Sequence, residues 1–157
     1  MPTGEIGEIV LLGEGNMVGY YKKDELTKDA FFGKWLKTGD LARRDEEGYL
    51  WVVDRKRDVI ISGGANIYPK EIEDLLVQYD GIQEAAVVGV PHQEWGETVT
   101  AFFAASEKVV TEDLTNYLSL HLAKYKIPRV FEQVDMLPRN ASGKILKRAL
   151  KERVNLS

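Results

Sequence analysis

Five consecutive charged residues, Asp54-Arg55-Lys56-Arg57-Asp58, divide the chain into two stretches whose apolar residues repeat in different ways. Before them the pattern is short strands and turns. Strand candidates fall at 8–12, 35–37, 41–44 and 49–54, and one charged helical stretch at 23–30 has an apolar stripe limited to Leu26, Ala30 and Phe31. The polar turn Arg44-Asp45-Glu46-Glu47-Gly48-Tyr49 between the last two strands is a hairpin signal. After the charged run, strands and helices alternate. Val59-Ile60-Ile61 reads as a short buried strand and Ser62-Gly63-Gly64-Ala65-Asn66 as a loop. Pro69 opens a helix with Glu71 and Glu73 in its first turn and Ile72, Leu75, Leu76 and Tyr79 at helical spacing. Asp80-Gly81 ends that helix, and 84–90 follows as a strand closed by Pro91, with another strand at 99–105. Thr111, with Glu112 and Asp113, caps a second amphipathic helix whose apolar face is Leu114, Tyr117, Leu118 and Leu122. A strand at 130–134, a loop at 136–144 and a terminal helix from Ile145 complete the pattern. The expected class is α+β: the tail of an antiparallel β-subdomain over residues 1–55, then a small mixed α+β domain over 58–157. A charged linker this short fits an exposed turn within a single domain equally well.

The chain has 157 residues, a formal charge of -4 and no cysteine. The absence of a basic excess sets nucleic acid aside as the main partner. Without cysteine there is no disulfide and no thiolate nucleophile or metal ligand, which fits a reducing compartment, and the cytoplasm is the expected location. No apolar run reaches the length of a membrane span, and the first residues lack the pattern of a secretory leader. A strand so near residue 1 reads as a chain cut from something longer. Neither His92 nor His121 has a second histidine or carboxylate at metal-ligand spacing, so no metal site is expected.

Four segments carry side chains suited to anionic or hydroxylated ligands. Thr38-Gly39-Asp40 places a carboxylate between two predicted strands, where it can accept hydrogen bonds from a vicinal diol such as ribose, or fold back on its own backbone as a turn-stabilising aspartate. Arg55 offers a planar donor fork for ribose or phosphate oxygens, or sits in a solvated linker with surface ion pairs. Gly63-Gly64-Ala65-Asn66 before a helix allows close approach of backbone N–H groups to a ligand, or makes a simple turn; it lacks the spaced glycines of a dinucleotide fingerprint. Pro138-Arg139-Asn140-Ala141-Ser142-Gly143-Lys144 holds a lysine after a glycine turn. It departs from a phosphate-binding P-loop, because Pro138 replaces the first glycine and Ile145 stands where Ser or Thr would hold magnesium.

In this order, the segments resemble those of the adenylate-forming (AMP-binding) superfamily, which includes acyl-CoA synthetases, luciferase and peptide-synthetase adenylation domains. Pro91-His92-Gln93-Glu94-Trp95-Gly96-Glu97 matches a further segment of that family, and the resemblance covers almost the whole chain. It implies the carboxy-terminal portion of an acyl-CoA synthetase, which activates a carboxylic acid with ATP to an acyl-adenylate and passes the acyl group to CoA, with fatty acid metabolism as the expected setting. It implies that residues 58–157 are a mobile lid hinged near Arg57. By the same resemblance Asp40, Arg55 and Asn66 bind nucleotide, Lys144 is catalytic, and Gly63, Gly64, Ala65 and Lys126 contact CoA. The family more often has Asp or Lys at Arg57 and Arg or Gln at Asn66. The phosphate loop, the Mg2+ ligands and the acid pocket belong to the family's large amino-terminal domain, so this piece alone is expected to be inactive. Two other functions fit the resemblance: an adenylation domain that loads a carrier protein, and a non-catalytic binding module of the same fold.

Overall fold

Residues 2–154 are described in the computed structural model of this protein, and the chain divides between Arg57 and Asp58 into two units. The first unit is an antiparallel sheet. Its elements are β1 (Ile6–Leu11), the short helix α1 (Asp24–Ala30), β2 (Phe31–Phe32), β3 (Trp35–Arg44) and β4 (Leu50–Arg55). β3 is central, with β1 on one side and β2 and β4 on the other. The 45–49 turn forms the expected hairpin, and Asp45 organises it: its carboxylate accepts the Tyr49 N–H at 2.8 Å and the Trp51 indole N–H at 2.7 Å.

The structure corrects one reading here. Thr38-Gly39-Asp40 is not a turn between two strands but lies inside β3, which is continuous across it. Between the pairs Val10↔Lys37 and Glu8↔Leu41, β1 uses one residue where β3 uses three, so β3 bulges, with Gly39 at φ +77°. A bulge of this kind re-aims a side chain without ending the ladder. That geometry depends on a partner strand about thirty residues away.

The second unit contains β5 (Ile60–Ser62), β6 (Ala65–Ile67), α2 (Pro69–Gln78), β7 (Ile82–His92), β8 (Gly96–Ala105), α3 (Thr111–Ser119), β9 (Val130–Gln133) and α4 (Lys147–Val154). β8 pairs antiparallel with β7 on one side, and on the other with β5 and then, in parallel, with β9. The parallel pair is joined through α3, the crossover that parallel strands require. Side chains alternate across β7 and β8 and feed two cores. Val87, Ala101 and Phe103 pack with Ile72, Leu76, Leu114 and Leu118 of α2 and α3. Val88, Val90 and Phe102 pack on the opposite face with Val134, Leu137 and Leu150. Burial of each phenylalanine side chain stabilises the unit by about 1.5–3 kcal/mol. The edge strand β7 is covered by Glu73 of α2, whose carboxylate accepts the Val87 N–H at 2.8 Å and pairs with Lys147 of α4 at 2.7 Å.

Several boundaries move from their expected places. Gly63 and Gly64 are not part of a loose loop but the two central residues of a tight hairpin, at φ +57° and +79°, so that Ala65 and Asn66 are already in β6. Positive φ at both positions is what a two-residue hairpin matched to strand twist demands, and glycine adopts it without strain. Pro91 does not close β7, which runs on to His92. An edge strand tolerates the missing N–H. Thr111 is the first residue of α3 rather than its cap; the first turn closes through backbone bonds to the Val110 carbonyl. α4 starts at Lys147, because Ile145 is held in a bridge with Arg139.

Candidate functional site

In the first unit, the register of β3 and β4 sets Asp40 opposite Arg55, and Arg55 Nε lies 2.9 Å from Asp40 Oδ1. Both side chains are substantially exposed, so the pair adds little stability, and its chemistry is available to a ligand. Thr38, Gly39, Arg55, Lys56 and Arg57 line an adjoining cavity of about 370 Å³. The bulge that aims Asp40 is fixed from below. Thr38 Oγ1 donates to the Ile9 carbonyl at 2.8 Å and accepts the Asp40 N–H at 3.1 Å. Glu8 accepts the Gly39 N–H at 3.2 Å through one oxygen and Lys56 Nζ at 2.8 Å through the other. Sequence reading gave Glu8 only a place in a strand, and its pairing with residues 31 and 48 positions away leaves no local signal. Arg57 is exposed, in a 3₁₀ turn at the end of this unit.

In the second unit, the β5–β6 hairpin forms one wall of a cavity of about 700 Å³, lined among others by Gly63, Ala65, Trp95, Lys124, Tyr125 and Arg129. Arg129 stacks on the Trp95 ring, 4.6 Å from its centroid. The Gly63 N–H donates to the Trp95 carbonyl at 2.9 Å, tying the hairpin tip to the β7–β8 connection. Gly64 and Asn66 are exposed beside this cavity without lining it. Lys126 does not line it either, and its ammonium is held by both Glu71 carboxylate oxygens at 2.9 and 2.7 Å. The cations on the cavity wall are therefore Lys124 and Arg129, which sequence reading passed over. A lysine pairing with a residue 55 positions away cannot be read from its neighbours.

Lys144 lies elsewhere in the same unit, exposed, on a loop closed from within. Asn140 Oδ1 accepts the Ser142 N–H, the Ser142 hydroxyl and the Lys144 N–H at 3.0, 2.8 and 2.9 Å. The Asn140 N–H returns to the Lys144 carbonyl at 2.9 Å, and Gly143 supplies φ +80°. Among the described residues, no hydrogen bond or ion pair engages the Lys144 ammonium. It is a positive charge whose backbone is fixed and whose side chain is available. Among the described residues no group of three or more His, Asp or Glu could hold a metal ion, and no helix is long and apolar enough to cross a membrane.

Two units, one with a carboxylate–guanidinium pair and one with an aromatic and cationic cavity and a presented lysine, match a known class. Residues 71–144 match the family model of the AMP-binding enzyme C-terminal domain, and the chain is a carboxy-terminal portion of the adenylate-forming superfamily. It is 48% identical over 146 residues to a 2-succinylbenzoate–CoA ligase of Oceanobacillus iheyensis, covering 93% of this chain and 30% of that protein. To a long-chain-fatty-acid–CoA ligase of Mycobacterium tuberculosis it is 42% identical, with 93% and 29% covered. Among solved structures, o-succinylbenzoate CoA synthetase of Bacillus subtilis in complex with its acyl-adenylate intermediate matches with a TM-score of 0.89 at 43% identity, over 96% of this chain and 31% of that one. ATP-bound MatB of Rhodopseudomonas palustris matches with a TM-score of 0.91 at 39% identity, over 98% and 31%. The chain thus spans less than a third of the length of these relatives.

Proposed function

We propose that this chain is the carboxy-terminal part of an ATP-dependent acid–thiol ligase that forms an acyl-adenylate and transfers the acyl group to CoA. The observation that carries the reading is Lys144, an unpaired ammonium on a loop fixed by backbone and Asn140 bonds. When a carboxylate attacks the α-phosphate of ATP and pyrophosphate leaves, negative charge gathers on the phosphoryl oxygens, and a preorganised cation there stabilises the transition state more than the ground state. Asp40 accepts the ribose hydroxyls, Arg55 donates to ribose and phosphate oxygens, and Asn66 adds a polar contact to nucleotide. In the second step the CoA thiol attacks the acyl carbonyl and AMP leaves. Gly63, Gly64 and Ala65 give the thiol arm close backbone approach, while Lys124 and Arg129 suit the CoA phosphates and Trp95 its adenine face. Lys126 supports this wall through Glu71.

Residues 58–157 act as a lid that turns about Arg57 between the two steps, exchanging the Lys144 loop for the hairpin and its cavity; such closures also exclude water. The described residues do not form a magnesium site. The reading assigns it, with the phosphate loop and the acid pocket, to the remainder of a longer polypeptide. The chain alone is then inactive. Two cations on one aromatic-walled cavity favour CoA over a carrier protein as acceptor.

The test is Lys144→Ala in the full-length polypeptide, with the half-reactions measured apart. Acid-dependent ATP–pyrophosphate exchange should fall by a factor on the order of a hundred or more, the scale of losing one transition-state charge. Transfer from supplied acyl-adenylate to CoA should stay near its starting rate. Equal loss of both would point to a single working conformation. Loss of neither would make Lys144 a surface residue and favour a non-catalytic module.

A further inference from the structure

The hydrogen bonds that close the Lys144 loop are local, and they shape the turn without saying where it stands. Its place is set from outside, by Glu84 near the start of the edge strand β7. Glu84 Oε1 accepts the Leu137 N–H at 3.0 Å, and Oε2 accepts Arg139 Nη2. Arg139 Nη1 donates to the Gly143 carbonyl at 2.7 Å. One guanidinium thus spans from a strand of the sheet to the residue immediately before Lys144, while the carboxylate it grips also holds the entry to the loop. Leu137 is buried in the second core, which anchors that entry.

We infer that Glu84 and Arg139 are positioning residues for Lys144, locking the backbone from which the lysine reaches its anionic target. The inference rests on the proposed function, since it supposes that Lys144 meets a developing negative charge. Lysine has a flexible four-carbon stem, and its charge reaches a fixed point only if the backbone beneath it is fixed. A planar guanidinium that holds two acceptors at once does this better than a single hydrogen bond, because two donors in one rigid plane fix orientation as well as distance. Glu84 is ionised and ready for that role. The Leu137 N–H, and after it Arg139, hold its carboxyl below the ordinary carboxylate range despite partial burial.

The experiment compares Arg139→Ala, Glu84→Gln, Lys144→Ala and the Arg139→Ala/Lys144→Ala double variant in the full-length polypeptide. Arg139→Ala and Glu84→Gln should each slow adenylation on the order of ten- to a hundredfold, the scale of misplacing a catalytic group by about an ångström. Each should leave transfer from supplied acyl-adenylate unchanged. The double variant should be no slower than Lys144→Ala, because removing the ammonium removes what Arg139 positions. A merely structural contact would instead multiply its effect onto that of Lys144. Amide exchange at Phe102 and Phe103 reports whether each variant keeps its sheet.

If Lys144→Ala does not slow adenylation, the proposed function fails. If Lys144→Ala slows it while both single variants run at the starting rate, or the double variant carries both losses in full, the positioning role fails and the function stands. Loss of core protection in both variants would also overturn it, making the pair a folding contact.

Discussion

Glu84 carries a pH dependence that follows from its partners. Its carboxyl is held below the ordinary range by the Leu137 N–H and then by Arg139, so the folded state favours the ionised form more than the unfolded chain does. A carboxylate with a depressed folded value contributes stability that is complete above its unfolded value and is lost as pH falls through the folded one. Wild-type stability in urea should therefore drop from about pH 7 to about pH 3 by more than that of Glu84→Gln, and the two curves should converge at the acid end. Parallel curves would mean that Glu84 is not coupled to folding. Asp45 is lowered in the same sense, first by the Trp51 indole N–H, but it is half-buried at a hairpin turn and adds to that turn rather than to a core contact.

Among the elements, the β5–β6 hairpin is the one whose conformation and proposed role meet in a single residue. A Cβ at Gly63 would approach Trp95 Cε3 to 3.1 Å at a backbone φ of +57°, so Gly63→Ala combines strain with a push on the ring that Arg129 stacks upon. It should destabilise the chain by about 1 kcal/mol or more. In the full-length polypeptide it should raise the KM for CoA while leaving ATP–pyrophosphate exchange in place, and an unchanged KM would remove the hairpin from the CoA path. How much of this was legible in sequence differs by element. β7 and β8 were, because the runs at 84–90 and 99–105 are apolar enough to require burial on both faces. α2 was, because Pro69 and the spacing of Ile72 and Leu76 act within one element. The β3 bulge, the tight Gly63-Gly64 hairpin and the late start of α4 were not, since each is decided by a partner strand, a turn geometry or a bridge formed in three dimensions. The same split holds at the candidate site. The order of Asp40, Arg55, Gly63 and Lys144 can be read along the chain, but the Lys126–Glu71 pair and the Trp95–Arg129 stack cannot.

At the scale of the molecule, the two units differ in what holds them together. Among the described residues, Ala42 is the only buried apolar side chain before Arg57, and Leu11, Tyr20, Tyr21, Phe32, Trp51 and Val52 are exposed. Beyond it, two cores fill both faces of one sheet. Limited proteolysis should therefore cut first within residues 2–55 and leave a resistant product beginning near residue 58, because cleavage follows local opening. First cuts in β7 or β8 would contradict this. The three tryptophans follow the same division: Trp35 and Trp51 lie in the first unit, both exposed, and Trp95 is the sole one in the second, under the Arg129 guanidinium and half-buried beside the large cavity. With Trp35 and Trp51 replaced by phenylalanine, the chain would carry one native fluorophore at that cavity, and whatever displaces Arg129 from the ring would announce itself as a change in emitted light.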